Sequence, residues 1–256
     1  MKSSRVVCVG VAAAMVIALL PMVAFGQGRN AGRNAGRDAG RWSDDDNGPK
    51  ETERVDKTIP FPANGVLRLK NFSGDIHITG TSGRDVVLKA TRRAGREQLD
   101  HIKLDISTSG STVTIDANKK DAAWERERHN NNVVETTFEL MVPAGADLDI
   151  DAFSSDLTVE GIDGDQQLKT FSGEIRVRDP KGAIDAETFS ANISVIVPPN
   201  AKGDVSFSSF SGDLNTTMPI ASTSWRKRSV DGTLPGGGGR RMRFKTFSGD
   251  LDLRTR

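Results

Sequence analysis

Residues 168–177 read LKTFSGEIRV, and the core of this segment recurs along the chain in six registered copies. Each copy writes Phe-Ser, then two small or polar residues, then Ile or Leu. The phenylalanines of the six copies are Phe72, Phe153, Phe171, Phe189, Phe210 and Phe247. Internal repeats of this kind are typical of solenoid and array architectures, in which each unit stacks on the next.

The spacing of the copies predicts the size of one repeat unit. Successive phenylalanines are 81, 18, 18, 21 and 37 residues apart, so 18 is the period and 37 is close to two periods. The gap of 21 fits one period with an insertion near residues 198–200. A helical pair needs more than about 30 residues, so a unit of 18 residues predicts a β-coil of short strands. Residues 145–217 supply four consecutive coils.

The residues around each phenylalanine alternate between apolar and polar. With Phe as position zero, positions −5, −3, +4 and +6 are mostly apolar, which is typical of strands with one buried face. Positions −3 and zero are three residues apart, so in one straight strand they would face opposite sides. Because both are apolar, each coil is expected to turn a corner near the motif. The corner falls either at −2 and −1 or at the Ser-Gly pair after Phe. We favour the first placement, which puts Phe and Ile in a continuous core.

Two parts of the chain are less regular than the central coils. Residues 55–143 predict further β structure, with longer segments outside the regular coils. Residues 218–241 predict one degenerate coil or one coil with a long loop. The final copy is expected to close the solenoid. The individual expectations are a strand at 85–90, a short helix at 94–99, a hairpin turning at 109–111, an exposed loop at 119–131 and a strand at 134–142.

The N-terminus has the layout of a secretory signal. Residues 1–26 hold Lys2 and Arg5, an apolar run and a small-residue cleavage site, although an uncleaved anchor at residues 6–26 is the alternative. Residues 27–51 are rich in Gly, Arg and Asn and predict a disordered leader. Residues 52–256 form the predicted solenoid domain. We therefore expect an exported protein that is periplasmic, surface-exposed or secreted.

Composition excludes several classes of function. The chain has 35 basic and 34 acidic residues, which gives no argument for a nucleic-acid partner, and a membrane contact is expected only if residues 6–26 stay uncleaved. Cys8 lies in the predicted signal, so the mature chain would carry no disulfide. With three Trp and no Tyr, a binding surface rich in stacking aromatic rings is not expected.

No catalytic or cofactor-binding motif is evident. The three histidines, at 77, 101 and 129, do not have metal-ligand spacing, and neither a nucleophile elbow nor a phosphate loop is present. We therefore expect no cofactor and no catalytic residues.

Position +3 is mostly acidic, so stacking would form a column containing Asp156, Glu174 and Asp213. A cation held by this column is one interpretation. The favoured one is a solvated column, because the calcium-binding repeat signature is absent. The serines at +1 predict a hydroxyl ladder that holds register, with a polar strip for glycan hydroxyls as the alternative.

Several segments of the chain resemble a known bacterial family. They are the Ile59-Pro60-Phe61 lead-in, the segment LRLKNFSGDIHITG and the coils TFSGEIRV and TFSGDLDL. Together they resemble a family of adhesin-like proteins whose domain is a β-solenoid of repeated Ser-Gly-Asp coils and is otherwise of unknown function. The resemblance covers roughly residues 52–256 and implies an all-β solenoid fold. It brings no catalytic residues.

Three functions remain open at this point. The leading hypothesis is an exported, non-catalytic solenoid that presents a flat repeat face to an envelope polymer, a glycan or a protein. The alternative is a structural or envelope-stress scaffold without a ligand of its own, and an enzyme acting on polysaccharide ranks third. Specificity is expected where the period breaks, at residues 119–131 and 218–241.

Overall fold

The computed structural model describes residues 49–126, 133–226, 228–235 and 237–256, without the side chains at 222, 223, 225 and 226. The predicted signal and almost all of the predicted leader lie outside these residues. Among the described helices, none is long and apolar enough to cross a membrane.

The described residues form an all-β fold with two short helices, as the sequence predicts. The strands and helices in chain order are β1 (Glu51–Pro60), β2 (Val66–Ser73), β3 (Ile76–Thr81), β4 (Asp85–Ala94), α1 (Arg96–His101), β5 (Ile102–Ser109), β6 (Thr112–Lys120), α2 (Ala122–Arg126), β7 (Glu135–Pro143), β8 (Asp147–Ser154), β9 (Leu157–Glu160), β10 (Gln166–Thr170), β11 (Ile175–Arg178), β12 (Ile184–Thr188), β13 (Ile193–Val197), β14 (Gly203–Ser211), β15 (Leu214–Thr216), β16 (Ala221–Arg226), β17 (Ser229–Thr233), β18 (Arg240–Ser248) and β19 (Leu251–Thr255).

The strands form two sheets that face each other across one core. Within the described residues, the nine-stranded sheet has the order β1-β4-β7-β3-β9-β11-β13-β19-β15, and the ten-stranded sheet has the order β16-β17-β14-β18-β12-β10-β8-β2-β6-β5. Seven coils each give one strand to each sheet, and strands of neighbouring coils are parallel. The predicted β-solenoid is therefore confirmed.

One central coil shows how the sequence builds the core. In β10, Gln166, Leu168 and Thr170 point inward, and after the corner Ile175 and Val177 of β11 do the same. These are positions −5, −3, −1, +4 and +6 of the repeat. Equivalent positions of neighbouring coils pair in register, so each apolar side chain stacks on its counterpart about 4.8 Å away and no coil is buried alone.

The corner follows the phenylalanine, so our favoured placement was wrong. Position −1 faces inward together with −5 and −3, which leaves position zero on the outer side of the same strand. Thr170 and Thr188 are 6% and 2% exposed, whereas Phe171 and Phe189 between the strands are 39% and 42% exposed. The six repeat phenylalanines do not form a core, because the residue at −1, which is polar in five copies and Ala152 in the sixth, occupies the interior at that level.

The coils do not stack in chain order. The coil of β18 and β19 lies between the coil of β12 and β13 and the coil of β14 and β15. At the other end, the coil of β6 and β7 lies outside the earlier coil of β2 and β3. The final copy therefore does not close the solenoid. Side-chain volumes fit this insertion, because the large Phe244 pairs with the small Ala186 on one side.

Antiparallel strands cover most of the exposed ends of the two sheets. At one end β5 pairs with β6, while β4 pairs with β7 and β1 pairs with β4. At the other end β17 pairs with β14 and β16 pairs with β17. The described part of 218–241 thus contains two covering strands, 221–226 and 229–233, rather than a degenerate coil. These antiparallel strands end the stack of parallel coils, so β1, β16 and β5 are edge strands, and β15 is the one edge strand of the described sheets that belongs to a coil.

Four smaller predictions are confirmed: the hairpin, the strands at 85–90 and 134–142, and the short helix near 94–99. The predicted exposed loop at 119–131 is only partly right. Its described part contains α2, and Trp124 on that helix is buried in a small second cluster with Leu99 and Ile102.

Candidate functional site

Six stacked phenylalanine rings form the most unusual surface of the described molecule. In stacking order they are Phe72, Phe153, Phe171, Phe189, Phe247 and Phe210, here called the phenylalanine ladder. Neighbouring ring centroids lie 4.7 to 4.9 Å apart, and neighbouring ring planes differ by 3° to 18°. Each side chain remains 39% to 58% exposed. The ladder is roughly 24 Å long, because strands are spaced about 4.8 Å apart.

The stacking determines which part of each ring a partner can touch. A ring inside the ladder has its two faces against its neighbours, so only its edge meets solvent. The last ring, Phe210, has the guanidinium of Arg228 5.0 Å from its centroid, a cation–π contact. Sugars and flat ligands stack on aromatic faces, whereas ring edges offer an apolar, slightly positive rim. The ladder therefore suits a broad apolar counter-surface better than a stacked sugar.

Hydrogen bonds at the corners hold the rings in place. The hydroxyl of Thr170 donates to the carbonyls of Phe153 and Ser155 in the neighbouring coil, at 3.4 and 3.3 Å. Thr188 donates in the same way to the carbonyl of Gly173 at 3.3 Å. A buried hydroxyl without such a partner would be costly, so these threonines fix the coil-to-coil register at the level of the ladder.

Glycine at position +2 allows the corners to approach closely. A Cβ added to Gly173 would lie 1.9 Å from the Ser155 carbonyl oxygen, and one on Gly249 would lie 1.9 Å from the carbonyl oxygen of Ala191. No side chain fits at that distance. In the copies that have glycine at +2, its missing Cβ therefore permits this approach between neighbouring corners, whereas Ser155 and Ala191 occupy the position in the other two copies.

The ladder is one edge of a larger surface, the outer face of the ten-stranded sheet. Positions −2 and −4 point to the same side as Phe, and we call these three columns together the ladder face. Position −2 alternates in charge along the stack; from the Phe72 rung to the Phe210 rung its residues are Lys70, Asp151, Lys169, Glu187, Lys245 and Ser208. Position −4 contains two ion pairs, Arg68 with Asp149 at 2.7 Å and Arg243 with Asp185 at 3.0 Å.

A shallow groove of about 440 Å³ runs beside the ladder along positions −4 and −6. Asp147 and Asp165 line it, but each already accepts a backbone N–H of the next coil, at 2.8 and 2.9 Å. Together with the two ion pairs of position −4, these bonds leave most charged side chains that line the groove with a protein partner. The groove has no free acid and base arranged around a common point.

The predicted acidic column exists, with Asp250 between Asn192 and Asp213 because of the inserted coil. The side-chain oxygens of its central members, from Asp156 to Asp250, bind protein groups. Asp156 accepts the Glu174 backbone N–H at 2.9 Å, and Asp250 accepts that of Asp213 at 2.8 Å. Arg176 also pairs with both Asp156 and Glu174. Among the described residues, no three metal-ligating side chains come together. The column thus acts as a hydrogen-bond ladder between coils.

The serine column lies immediately beyond the ladder. The serines at +1 are Ser73, Ser154, Ser172, Ser190, Ser211 and Ser248; Ser73 is half-buried and the others are exposed. Their backbone N–H groups continue the coil-to-coil ladder, as where Ser172 donates to the Phe153 carbonyl at 2.7 Å. The glycan-contact hypothesis for these hydroxyls stays a prediction.

The described histidines lie away from the ladder. His77 is exposed on β3, and His101 contacts Asp121 at 2.8 Å and stacks on Trp124. Hydrogen bonds from the Trp124 backbone and from His101 lower the pKa of Asp121 below its usual value. Asp121 also accepts the Ala123 and Trp124 N–H groups, so it caps α2. This group has a local structural role.

Residues 63–254 match the sequence description of one family, Toastrack DUF4097. The chain belongs to this family. Comparison with curated proteins gives no match. Among solved structures, a "putative cell adhesion protein" from Clostridium sporogenes is similar over 81% of this chain and 100% of its own, at 10% identity and a TM-score of 0.58. This likeness shows a shared fold.

Two further structures are similar more weakly. One is a "putative adhesin" from Bacteroides fragilis, with 10% identity over 80% of this chain and 97% of its own and a TM-score of 0.25. The other is a "putative lipid binding protein" from Parabacteroides distasonis, with 9% identity over 82% and 98% and a TM-score of 0.25.

Sequence reasoning placed the six phenylalanines in the core and so missed the surface they form. It also predicted few stacking aromatic rings, and the ladder corrects this. Position −1 could have revealed this, because it continues the inward-facing series −5, −3, −1. In five copies it is small and polar: Asn71, Thr170, Thr188, Ser209 and Thr246. Strand alternation then requires position zero to face outward.

Proposed function

We propose that this Toastrack chain is an exported, non-catalytic, adhesin-like binding protein whose ladder face docks against another protein. The observation that carries the proposal is the phenylalanine ladder. Soluble proteins rarely leave a continuous row of large apolar side chains open to water, and such rows commonly mark interaction sites. Here six rings of 39% to 58% exposure are held in one line by the corner hydrogen bonds.

The chemistry of the ladder favours a protein partner over a glycan. Ring faces are occupied by neighbouring rings, so the carbohydrate stacking that aromatic faces support is not available inside the ladder. Ring edges beside a column of alternating charge resemble the apolar and polar parts of ordinary protein interfaces. Export follows from the predicted signal at residues 1–26 and stays part of the proposal.

Within the part of the chain that the structure describes, no group of side chains is assembled that would favour the polysaccharide-enzyme alternative. At position +3, Asp156 and Asp250 accept backbone N–H groups, and Arg176 pairs with Asp156 and Glu174. In the groove, Asp147 and Asp165 accept backbone N–H groups, and Asp149 and Asp185 pair with arginines. The scaffold alternative makes a different prediction, because a spacer would work equally well with a polar ladder. Residues 119–131 and 218–241 remain predicted sites of specificity.

Binding to cells tests the proposal directly. The purified chain, carrying a fluorescent label, is incubated with intact cells of the organism that makes it, before and after protease treatment of the cells. We expect saturable binding that protease treatment removes and that the double variant Phe171→Ser/Phe189→Ser loses. Met141→Ser is the matched control, because Met141 is 44% exposed on the other sheet.

Equal binding by the wild type and the double variant would contradict a docking role for the ladder and favour the scaffold. Binding that survives protease but is lost after removal of surface polysaccharide would move the partner from protein to glycan. Absence of wild-type binding to any cell preparation would contradict the adhesin-like function.

A further inference from the structure

The column at position −2 carries charges that the sheet itself leaves without ion pairs. Among the described residues, Lys70, Asp151, Lys169, Glu187 and Lys245 take part in no salt bridge within 4.0 Å, although they alternate in sign along the stack. In the next column, by contrast, Arg68 and Arg243 are paired. The unpaired column lies directly beside the phenylalanine ladder.

Read in the opposite direction along the stack, the charges of this column are complementary to those of the column itself. If a second ladder face lies over the first, related by a twofold axis parallel to the strands, the stacking order is inverted and each column faces itself. With the six rungs fully overlapped, Asp151 faces Lys245 of the other copy and Lys169 faces its Glu187. By symmetry each of these contacts occurs twice.

The other orientations lack this match. With the two ladders running in the same direction, the twofold axis lies along the stack and the strands are reversed. If the ladders meet, position −2 faces position +2 of the other copy, which carries no charge; if position −2 instead faces itself, Lys meets Lys and Asp meets Asp. Like charges brought together in an interface cost several kcal/mol and select against that pairing. Charge therefore selects the antiparallel arrangement.

The ladder supplies the apolar part of the same contact. In the antiparallel arrangement the six rings of each copy meet the rings of the other edge to edge, along one side of a surface whose neighbouring columns at positions −2 and −4 carry the charges. A contact over six strands and five residues of each strand covers roughly 500 Å² per copy, from spacings of about 4.8 and 3.4 Å. The total of roughly 1,000 Å² lies at the low end of specific interfaces, which indicates a weak dimer.

We propose that the first occupant of the ladder face is a second copy of this chain, bound as an antiparallel twofold dimer. This inference rests on the proposed function, since it names the protein partner of the same surface. Self-association through the ladder covers the exposed rings in the absence of any other partner. Another partner that binds the ladder face competes with the second copy, so its binding dissociates the dimer in a concentration-dependent manner.

Sedimentation velocity of the purified chain over a concentration series tests the dimer. The variants are Asp151→Lys, Lys245→Asp and the double variant with both changes. These two residues face each other only between copies, because within one sheet Asp151 neighbours Lys70 and Lys169 whereas Lys245 neighbours Glu187 and Ser208. Rescue by the double variant therefore cannot come from contacts within a single chain.

We expect a wild-type dimer that each single variant weakens by about tenfold or more, since each change places two like-charged pairs in the interface. The double variant should recover dimerisation. Phe171→Ser should abolish it, and Met141→Ser should leave it unchanged. Circular dichroism confirms that each variant is folded.

Three outcomes would overturn the inference: a monomeric wild type at its highest soluble concentration, a dimer indifferent to the single variants, or a double variant that stays monomeric. A monomer that still binds cells through its ladder would leave the proposed function intact and reject only the dimer. A dimer that binds no cells would leave the dimer inference intact and reject the proposed function.

Discussion

Two phenylalanines on one strand provide the sharpest test of the outward ladder. Phe244 and Phe247 lie three residues apart on β18, yet Phe244 is fully buried whereas Phe247 is 44% exposed. Replacing each by Gln keeps the residue size moderate and adds the same polar amide. Phe247→Gln should be tolerated and Phe244→Gln should not, because only the second change places an amide in the core.

The expected costs follow from burial. A fully buried Phe contributes about 1.5–3 kcal/mol, so the half-buried Phe247 contributes about 1 kcal/mol. Its stacking on Phe189 and Phe210 adds about 0.5 kcal/mol for each pair at an exposed site. Phe247→Gln should therefore cost about 2 kcal/mol. Phe244→Gln loses the full burial term and leaves an unsatisfied amide that costs about 1–3 kcal/mol more.

Urea unfolding followed by circular dichroism and by tryptophan fluorescence measures both variants. It is carried out at a low, fixed protein concentration so that self-association does not contribute to the free energy of unfolding. We expect Phe244→Gln to lower the free energy of unfolding by about 2 kcal/mol more than Phe247→Gln. Equal costs, or a larger cost at Phe247, would refute the assignment of the ladder to the surface.

Further tests address the corner and the order of the coils. Gly173→Ala should cost about 1–3 kcal/mol in urea unfolding, since its Cβ would meet a carbonyl oxygen at 1.9 Å, whereas Gly145→Ala, with no heavy atom within 4 Å, should stabilise by about 0.4–1 kcal/mol; equal effects would refute the close approach. Cysteines replacing Ser190 and Ser248 should form a disulfide under mild oxidation, because the Ser248 N–H donates to the Phe189 carbonyl and adjacent strands fit the bond. Cysteines replacing Ser190 and Ser211 should not, and a disulfide there would show that the coils stack in chain order.

The repeat was sufficient to predict the solenoid, because its apolar positions recur at a spacing that only short stacked strands can use. Leu168 and Ile175 occupy the core positions that the alternation predicts. The corner was misplaced because an apolar side chain was assumed to be buried. A large aromatic ring can also stay outside when neighbouring copies cover its faces, and Thr170 filled the inward position instead.

The order of the coils could not be predicted from the sequence, since every coil presents the same alternating edge to its neighbours. The strand holding Phe244 can pair with either of two similar strands, and only packing volumes, such as the small Ala186 beside it, favour the observed insertion. Likewise, nothing in the polar segment around Trp124 signalled a short helix, because five residues are too few to show a helical period.

Hydroxyl-radical footprinting of the purified chain at low concentration tests the central claim most directly. The claim is that six phenylalanines of the repeat form an exposed ladder while Phe138, Phe207 and Phe244 lie in the core. We predict oxidation at all six ladder positions, strongest at Phe210, which is 58% exposed, and protection of the three core rings. Protection of the ladder rings in the monomeric, folded chain, at the level of the core rings, would contradict the account.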